Sequence, residues 1–280
     1  MVADDDYAVE CVAYDLSRKR PECLKTVKPH KELLMRFWSL FGFHDAQLPM
    51  HRTRFGLLFY TFQSLLRVTV IFLVLGPAVA ANHHDYFGYL SIGMPLFAFY
   101  SAAVTSGYGI LTRNKIILGN GNVTYLACVM RFMTEHSVRF AFSILGFAGY
   151  LAVYPQTLNA AMLLLVPGII IAVVFIFATA LTFMVVSSFL PNLAEAVNSI
   201  MGIMFFATPL LWYVGERGGM RGLIAVVNPF THLIAVVREP ALGRVPEAIS
   251  YIYACSFTLL VVVASIWLFG VTRRWMIFKV

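Results

Sequence analysis

The chain has 280 residues, of which 60% are hydrophobic and only 12% are charged, and its formal net charge is +7. Its mean hydropathy of +0.77 is far above that of a soluble domain, whose core does not require apolar runs of about 20 residues. The composition therefore excludes an ordinary soluble domain and predicts an all-α integral membrane protein.

The first 54 residues are predicted to form a cytoplasmic tail followed by an amphipathic interface helix. No basic region followed by an apolar run marks a cleaved signal peptide here. In residues 29–44 the apolar side chains fall on one helical face, and these are Leu33, Leu34, Phe37, Trp38 and Phe41. This pattern favours a helix that lies flat in the membrane interface, and packing against protein is the alternative.

Residues 55–280 are predicted to form one domain with six transmembrane helices. The apolar segments are residues 55–81, 86–111, 138–154, 160–190, 193–214 and 248–271. Arg113, Lys115 and Arg131 place the connection 112–137 in the cytoplasm, because Lys and Arg are enriched in cytoplasmic loops. Six spans then put both termini in the cytoplasm. The predicted outer link 215–247 departs from the cation rule, since it carries Arg217, Arg221, Arg238 and Arg244.

That link contains the apolar stretch "NPFTHLIAVVREPALG", residues 228–243. Two short apolar pieces, residues 222–227 and 230–237, are separated by Asn228 and Pro229, and proline interrupts a helix. Each piece is too short to span a bilayer. The pattern predicts a re-entrant helical hairpin on the outer side, with a partly buried surface loop as the alternative.

Arg67 lies well inside the first predicted span, where a charge is costly unless it faces protein or water. It therefore indicates either a surface that faces a conduit or a structural bond to a backbone carbonyl. Pro209, near the outer end of the predicted fifth span, is expected to break that helix locally.

No residue pattern for nucleotide hydrolysis or metal binding is present. The sequence "GNGN" at residues 119–122 lacks the lysine of a phosphate-binding loop, so the chain is not expected to hydrolyse ATP. The four cysteines show no metal-ligand spacing. His83, His84 and Asp85 form a polar cluster that is typical of a solvated turn, and a membrane-embedded transferase is the alternative that would use it.

The order of these elements, with "TPLLW" at residues 208–212 and the block at residues 228–243, resembles the permease subunits of type-2 ABC exporters. It is most similar to permeases that export O-antigen, capsule and related polysaccharides. The resemblance covers residues 45–280, and its most specific motif is the Asn-Pro pair followed by Arg-Glu and then Gly243.

The resemblance implies a permease that moves a lipid-linked, O-antigen-like polysaccharide across the cytoplasmic (inner) membrane of a bacterium. It implies a homodimer that works with two ABC ATPase subunits, which carry ATP and Mg, while this chain has no cofactor of its own and no nucleic-acid partner. Membrane lipids and the lipid-linked glycan complete the expected partners. Capsule polysaccharide, teichoic acid, a drug or a small lipid are alternative substrates.

The resemblance also assigns roles to residues. The segment expected to be a cytoplasmic coupling helix contains Arg113, Asn114, Lys115 and Ile117. The residues expected to face the substrate conduit are Tyr60, Arg67, Phe97, Tyr100 and Trp212. The residues expected to close the outer end of the conduit are Asn228, Pro229, Arg238 and Glu239.

Overall fold

The computed structural model describes residues 13–14, 21–22, 31–48, 55–79, 85–119, 124–213 and 219–276. These residues are almost entirely helical. The strands among them are two residues long each, β1 at Ala13–Tyr14 and β2 at Pro21–Glu22, and they pair antiparallel. The rest of the predicted cytoplasmic tail, residues 1–28, lies outside the described residues.

The helices follow one another with short connections. In chain order they are α1 Lys31–Gln47, α2 Leu58–Val79, α3 Tyr86–Tyr108, α4 Ile110–Arg113, α5 Lys115–Gly119, α6 Tyr125–Ser143, α7 Leu145–Val153, α8 Leu165–Phe189, α9 Ala194–Ala207, α10 Met220–Val227, α11 Pro229–Ala241 and α12 Ala248–Met276. Short 3-10 turns lie at Pro155–Thr157, Ala160–Leu164 and Pro191–Leu193.

Five helical stretches are long and apolar enough to cross a membrane. They are Leu58–Pro77, Tyr86–Tyr108, Tyr125–Val153, Ala160–Phe189 and Ala248–Met276. The third joins α6 and α7, which meet at Ile144 with backbone angles close to helical (φ −84°, ψ −9°). The prediction of a multi-pass α-helical membrane protein is therefore confirmed.

The prediction of six spans is not confirmed, because the structure differs at residues 193–214. Helix α9 has 14 residues and is about 21 Å long, shorter than a hydrocarbon core of about 30 Å. Thr208, which follows it, is extended (φ −86°, ψ 137°), as expected for a residue that precedes proline. Pro209 thus ends the helix and leaves residues 208–213 irregular.

The third spanning stretch also begins earlier than predicted. Helix α6 starts at Tyr125, where the Thr124 side chain caps it by accepting a hydrogen bond from the Ala127 amide. The second half of the predicted connection 112–137 therefore belongs to this helix. Three charged residues of this connection, Arg113, Arg131 and Glu135, form ion pairs in the folded chain.

Helix α3 is the centre of the bundle. In its apolar stretch 78% of the residues are buried, against 11–22% in the other four stretches, whose exposed apolar faces suit contact with lipid. Gly107 brings α3 close to α8, since a Cβ atom added there would lie 3.1 Å from the Ala180 Cα. The Tyr108 hydroxyl donates to the Leu190 carbonyl at the end of α8.

Helices α2 and α6–α7 run side by side in the same direction. The Thr61 hydroxyl donates to the Phe142 carbonyl at 2.6 Å, and one turn later Leu65 packs against Gly146. We call the end where α2 and α6 begin the α1 end, because α1 and α4 lie there. We call the opposite end the hairpin end, because it contains α10, α11 and the start of α3.

The hairpin of α10 and α11 packs against the first turns of α8 and α12. His232 connects the hairpin to α12. Its ring stacks on Tyr253 with centroids 4.6 Å apart, and its Nδ1 lies 3.3 Å from the Ser250 hydroxyl. A Cβ atom added at Gly168 would lie 2.3 Å from the Val236 carbonyl oxygen. The hairpin is therefore part of the folded core at this end.

We expect Gly168→Ala to lower the free energy of unfolding by about 1–3 kcal/mol, because the added methyl group overpacks the contact between α8 and α11. The matched control is Gly149→Ala in α7, where an added Cβ atom has no neighbour within 4 Å. Thermal unfolding in detergent measures both variants. Equal midpoints for the two variants would contradict the described packing.

Candidate functional site

A polar groove runs between helices α2, α3, α6 and α9. It begins near the α1 end at Ser106 and follows α3 to Met94, about 18 Å along the helix. Its volume is about 560 Å³, within the range of pockets that hold small ligands. The polar groups of its lining include Arg67, Ser101, His136, Arg139, Ser143 and Asn198.

Arg67 reaches the groove from α2. It lies about 14 Å along this helix, near its middle. Its side chain is exposed and forms no hydrogen bond or ion pair with the described residues. An arginine at the centre of a spanning helix costs about 3 kcal/mol unless it faces protein or water, so the groove supplies the polar surroundings that Arg67 needs.

Arg139 lines the same groove and pairs with a buried carboxylate. Its Nη2 lies 2.6 Å from Oε1 of Glu135, and the other oxygen of Glu135 lies 3.4 Å from Nη1 of Arg113. Arg113, Glu135 and Arg139 therefore form an ion-pair chain that leads from α4 to the groove. The Arg139 Nε is buried and has no hydrogen-bond partner among the described residues.

The predicted conduit residues do not come together as one surface. Phe97 lines the groove with Arg67, and its ring meets Phe205 edge to face with centroids 5.6 Å apart. Tyr100 is fully buried, and its hydroxyl donates to the Leu233 carbonyl at 3.0 Å. Tyr100 thus packs in the core between α3 and the hairpin.

The other two predicted conduit residues lie at opposite ends of the bundle. Tyr60 is near the α1 end, where its hydroxyl donates to the Ala46 carbonyl and its ring lies 5.6 Å from the Arg139 guanidinium. Trp212 is in the irregular segment 208–213 at the hairpin end. Neither residue lines the groove.

At the α1 end, Asn114 and Arg131 join three elements. Arg131 donates to both carboxylate oxygens of Asp45 in α1, from Nε at 2.5 Å and from Nη2 at 2.9 Å. Its Nη1 donates to the Asn114 side-chain oxygen at 3.0 Å, and Asn114 donates to the Ile110 carbonyl at 2.8 Å. These bonds fix α4 and α1 against α6, so Asn114 has a structural role in this chain.

Lys115 and Ile116, which follow Asn114, point outward. Both side chains are in the short helix α5. Lys115 is exposed, and Ile116 is 83% exposed although it is apolar. The side chain of Ile117 lies outside the described residues. The predicted coupling segment therefore has a fixed inner part and an exposed outer part.

At the hairpin end, Arg238 is buried and joins the hairpin to the broken end of α9. Its Nη1 donates to the Pro209 carbonyl at 2.9 Å, and its guanidinium lies 3.6 Å from the centre of the Tyr89 ring. Its Nε lies 3.2 Å from the Glu239 carboxylate. The Tyr89 hydroxyl also donates to the Pro209 carbonyl at 2.6 Å.

Asn228 and Pro229 build the turn of the hairpin. The Asn228 side-chain oxygen caps α11 by accepting from the Phe230 amide at 3.0 Å, and Pro229 occupies the first helical turn. The Asn228 side-chain nitrogen donates to the Thr208 hydroxyl at 2.9 Å. Asn228 and Arg238 therefore bind residues 208–213 directly, Glu239 pairs with Arg238, and Pro229 shapes the turn beside them.

An exposed ion pair completes the hairpin end. Arg244 lies 2.5 Å from Asp85 and 3.8 Å from Glu239. Burial raises the pKa of the nearby Tyr213 hydroxyl, and the Asp85 carboxylate raises it further. His83 and His84 lie outside the described residues, and within the described part of the chain no group of three His, Cys, Asp or Glu side chains could hold a metal ion.

The sequence predictions assigned no site role to Asp45, Glu135 and Arg139, and they used Arg131 only to orient the chain. Glu135 and Arg139 are spaced four residues apart, as in a helical ion pair, and this spacing was a signal that could have been used. The predicted boundary at residue 138 separated them, so a charged pair within one helix was divided between a loop and a span.

No protein-family model matches the sequence, and a search of curated proteins also found no match.

We expect Arg238→Gln to lower the free energy of unfolding by about 3 kcal/mol, because it removes a buried charge that donates to the Pro209 carbonyl and pairs with the Glu239 carboxylate. The control is Arg244→Gln, which removes an arginine that is 48% exposed and should change stability by less than about 1 kcal/mol. Denaturation in detergent measures the free energy of unfolding of both variants. Similar destabilisation by the two changes would contradict the structural role of Arg238.

Proposed function

We propose that the chain is the transmembrane permease subunit of an ATP-driven exporter that moves a lipid-linked, O-antigen-like polysaccharide across the bacterial cytoplasmic membrane. The observation that carries this proposal is the polar groove between α2, α3, α6 and α9, with Arg67 at mid-helix depth. Intramembrane charges that face a cavity are typical of substrate pathways. A groove of about 560 Å³ accepts a headgroup or sugar unit rather than a whole glycan, which suits stepwise passage of a chain.

The α1 end supports the proposed use of ATP. Ile116 and Lys115 form an exposed apolar and cationic surface on α5, and Arg113 and Asn114 just before it are tied to α6. An exposed apolar side chain next to a cation suits docking into a partner protein. We propose that an ABC ATPase binds here, one to each of two copies of this chain, with ATP and Mg held by the ATPase.

The contacts at the hairpin end suit a gate on the side of the membrane opposite to the proposed ATPase site. Arg238 and Glu239 hold the hairpin against residues 208–213, where Pro209 has already interrupted α9. A segment without helical hydrogen bonds moves more easily than a helix. In the proposed exporter this cluster closes the outer end of the path and opens when substrate passes.

We expect Ile116→Ser to weaken binding of the ATPase encoded beside this chain about thirtyfold, since burying an isoleucine contributes about 2 kcal/mol. The side chain is exposed, so the thermal midpoint of the isolated chain should stay unchanged. Co-purification and ATP hydrolysis in lipid measure the effect.

The matched control is Val245→Ser, which alters an equally exposed apolar residue at the hairpin end and should leave ATPase binding intact. Loss of binding in both variants would argue against a docking surface at α5. If the parent chain binds no ATPase, the exporter proposal fails. Accumulation of lipid-linked glycan inside cells that lack the chain tests the substrate directly.

A further inference from the structure

The charges of the polar groove do not balance. Arg67 and Arg139 both line it, and the one carboxylate paired with them, Glu135, is shared between Arg139 and Arg113. Arg67 has no ionic partner among the described residues. The groove therefore carries net positive charge, which attracts an anion.

Unused hydrogen-bond donors line the groove together with the two arginines. Ser101, Ser143 and Asn198 line the groove, and their side chains form no hydrogen bond with the described residues. The buried Nε of Arg139 also lacks an acceptor. Guanidinium groups bind phosphate oxygens through paired N–H donors, so this set of groups suits a tetrahedral dianion better than a neutral sugar.

The surface beside Arg67 indicates that the anion is attached to a lipid. Val70 and Val74, three and seven residues after Arg67, lie on the same side of α2 and are 50% and 71% exposed. An acyl or polyprenyl chain would contact these residues while its headgroup lies in the groove. A free phosphate ion would gain nothing from them.

We propose that Arg67 and Arg139 bind the phosphate or diphosphate group of a lipid substrate, and that Arg139 exchanges Glu135 for this group. Glu135 then remains paired with Arg113, next to the segment proposed to bind the ATPase. The inference deepens the proposed function, on which its assignment of a transported lipid rests. The anion site itself depends only on the geometry of this chain.

The test is a binding titration of the purified chain in neutral detergent, without any ATPase. The probes are dioctanoyl phosphatidic acid, dioctanoylglycerol with the same acyl chains but no phosphate, and inorganic pyrophosphate. We expect the phosphatidic acid to bind at least about tenfold more tightly than either of the other two. Equal binding of pyrophosphate would overturn the assignment to a lipid, and equal binding of dioctanoylglycerol would overturn the anion site.

Substitutions then locate the site. Arg67→Gln and Arg139→Gln should each weaken binding of the phosphatidic acid about tenfold, since each removes a charge-assisted contact. The matched control, Arg273→Gln, removes an exposed arginine in the last turn of α12, outside the groove lining, and should leave binding within about twofold. Equal loss in all three variants would mean general surface attraction and would overturn the proposal.

We expect Glu135→Gln to strengthen binding of the phosphatidic acid, whereas the arginine variants weaken it. Glu135→Gln removes the carboxylate that competes for Arg139, so the phosphatidic acid should bind more tightly, which damage to the fold would not produce. Weaker or unchanged binding of the phosphatidic acid by Glu135→Gln would overturn the proposal that Arg139 exchanges Glu135 for the phosphate group. Export is measured separately: binding without export contradicts the proposed function alone, and export without binding contradicts this site alone.

Discussion

Hydrocarbon offers no hydrogen bonds, so every backbone carbonyl and every charge in a spanning segment needs a polar partner from the protein or from water. At the hairpin end, Pro209 interrupts α9, and its own carbonyl accepts from Tyr89 and from Arg238. The Leu211 carbonyl accepts from the Tyr86 hydroxyl. A helix that is too short to span is thus accommodated, because its neighbours supply the missing donors.

Arg67 meets the same constraint in a different way. It lies near the middle of a spanning helix without a partner among the described residues, so the groove beside it has to contain water or a polar ligand. The two ends of the bundle are held by paired charges, with Asp45 and Arg131 at one end and Arg238 and Glu239 at the other. The unpaired charge between them is where we expect a substrate.

The ion-pair chain gives this arrangement a route for coupling. Glu135 contacts Arg139 in the groove and Arg113 in α4, and the bonds of Asn114 tie α4 to α6. Helix α3, which is largely buried, forms the wall against which α2, α6 and α9 are placed. We therefore expect a change of charge in the groove to alter the ion pair of Arg113, which lies three residues before the exposed Ile116.

The sequence was sufficient to predict the features that depend on local chemistry. Apolar length located the spanning helices, and Asn228 with Pro229 located the break in the hairpin, because capping and proline geometry act within a few residues. Hydropathy could not reveal that α9 stops at Ala207, since the irregular residues that follow are equally apolar. Nor could it separate Phe97, which lines the groove, from Tyr100, which is buried: that difference depends on which neighbours pack against α3.

We expect the groove beside Arg67 to be open to water within the membrane. The most direct measurement is the rate at which a charged, membrane-impermeant thiol reagent labels single cysteines introduced in place of Ser143 or Leu259, after the four native cysteines are replaced by serine. Ser143 lines the groove, whereas Leu259 is an exposed apolar residue on α12. We expect the cysteine at position 143 to react rapidly and the cysteine at position 259 to react slowly, because lipid excludes the reagent there. Equally slow labelling at both positions would contradict the groove and the function inferred from it.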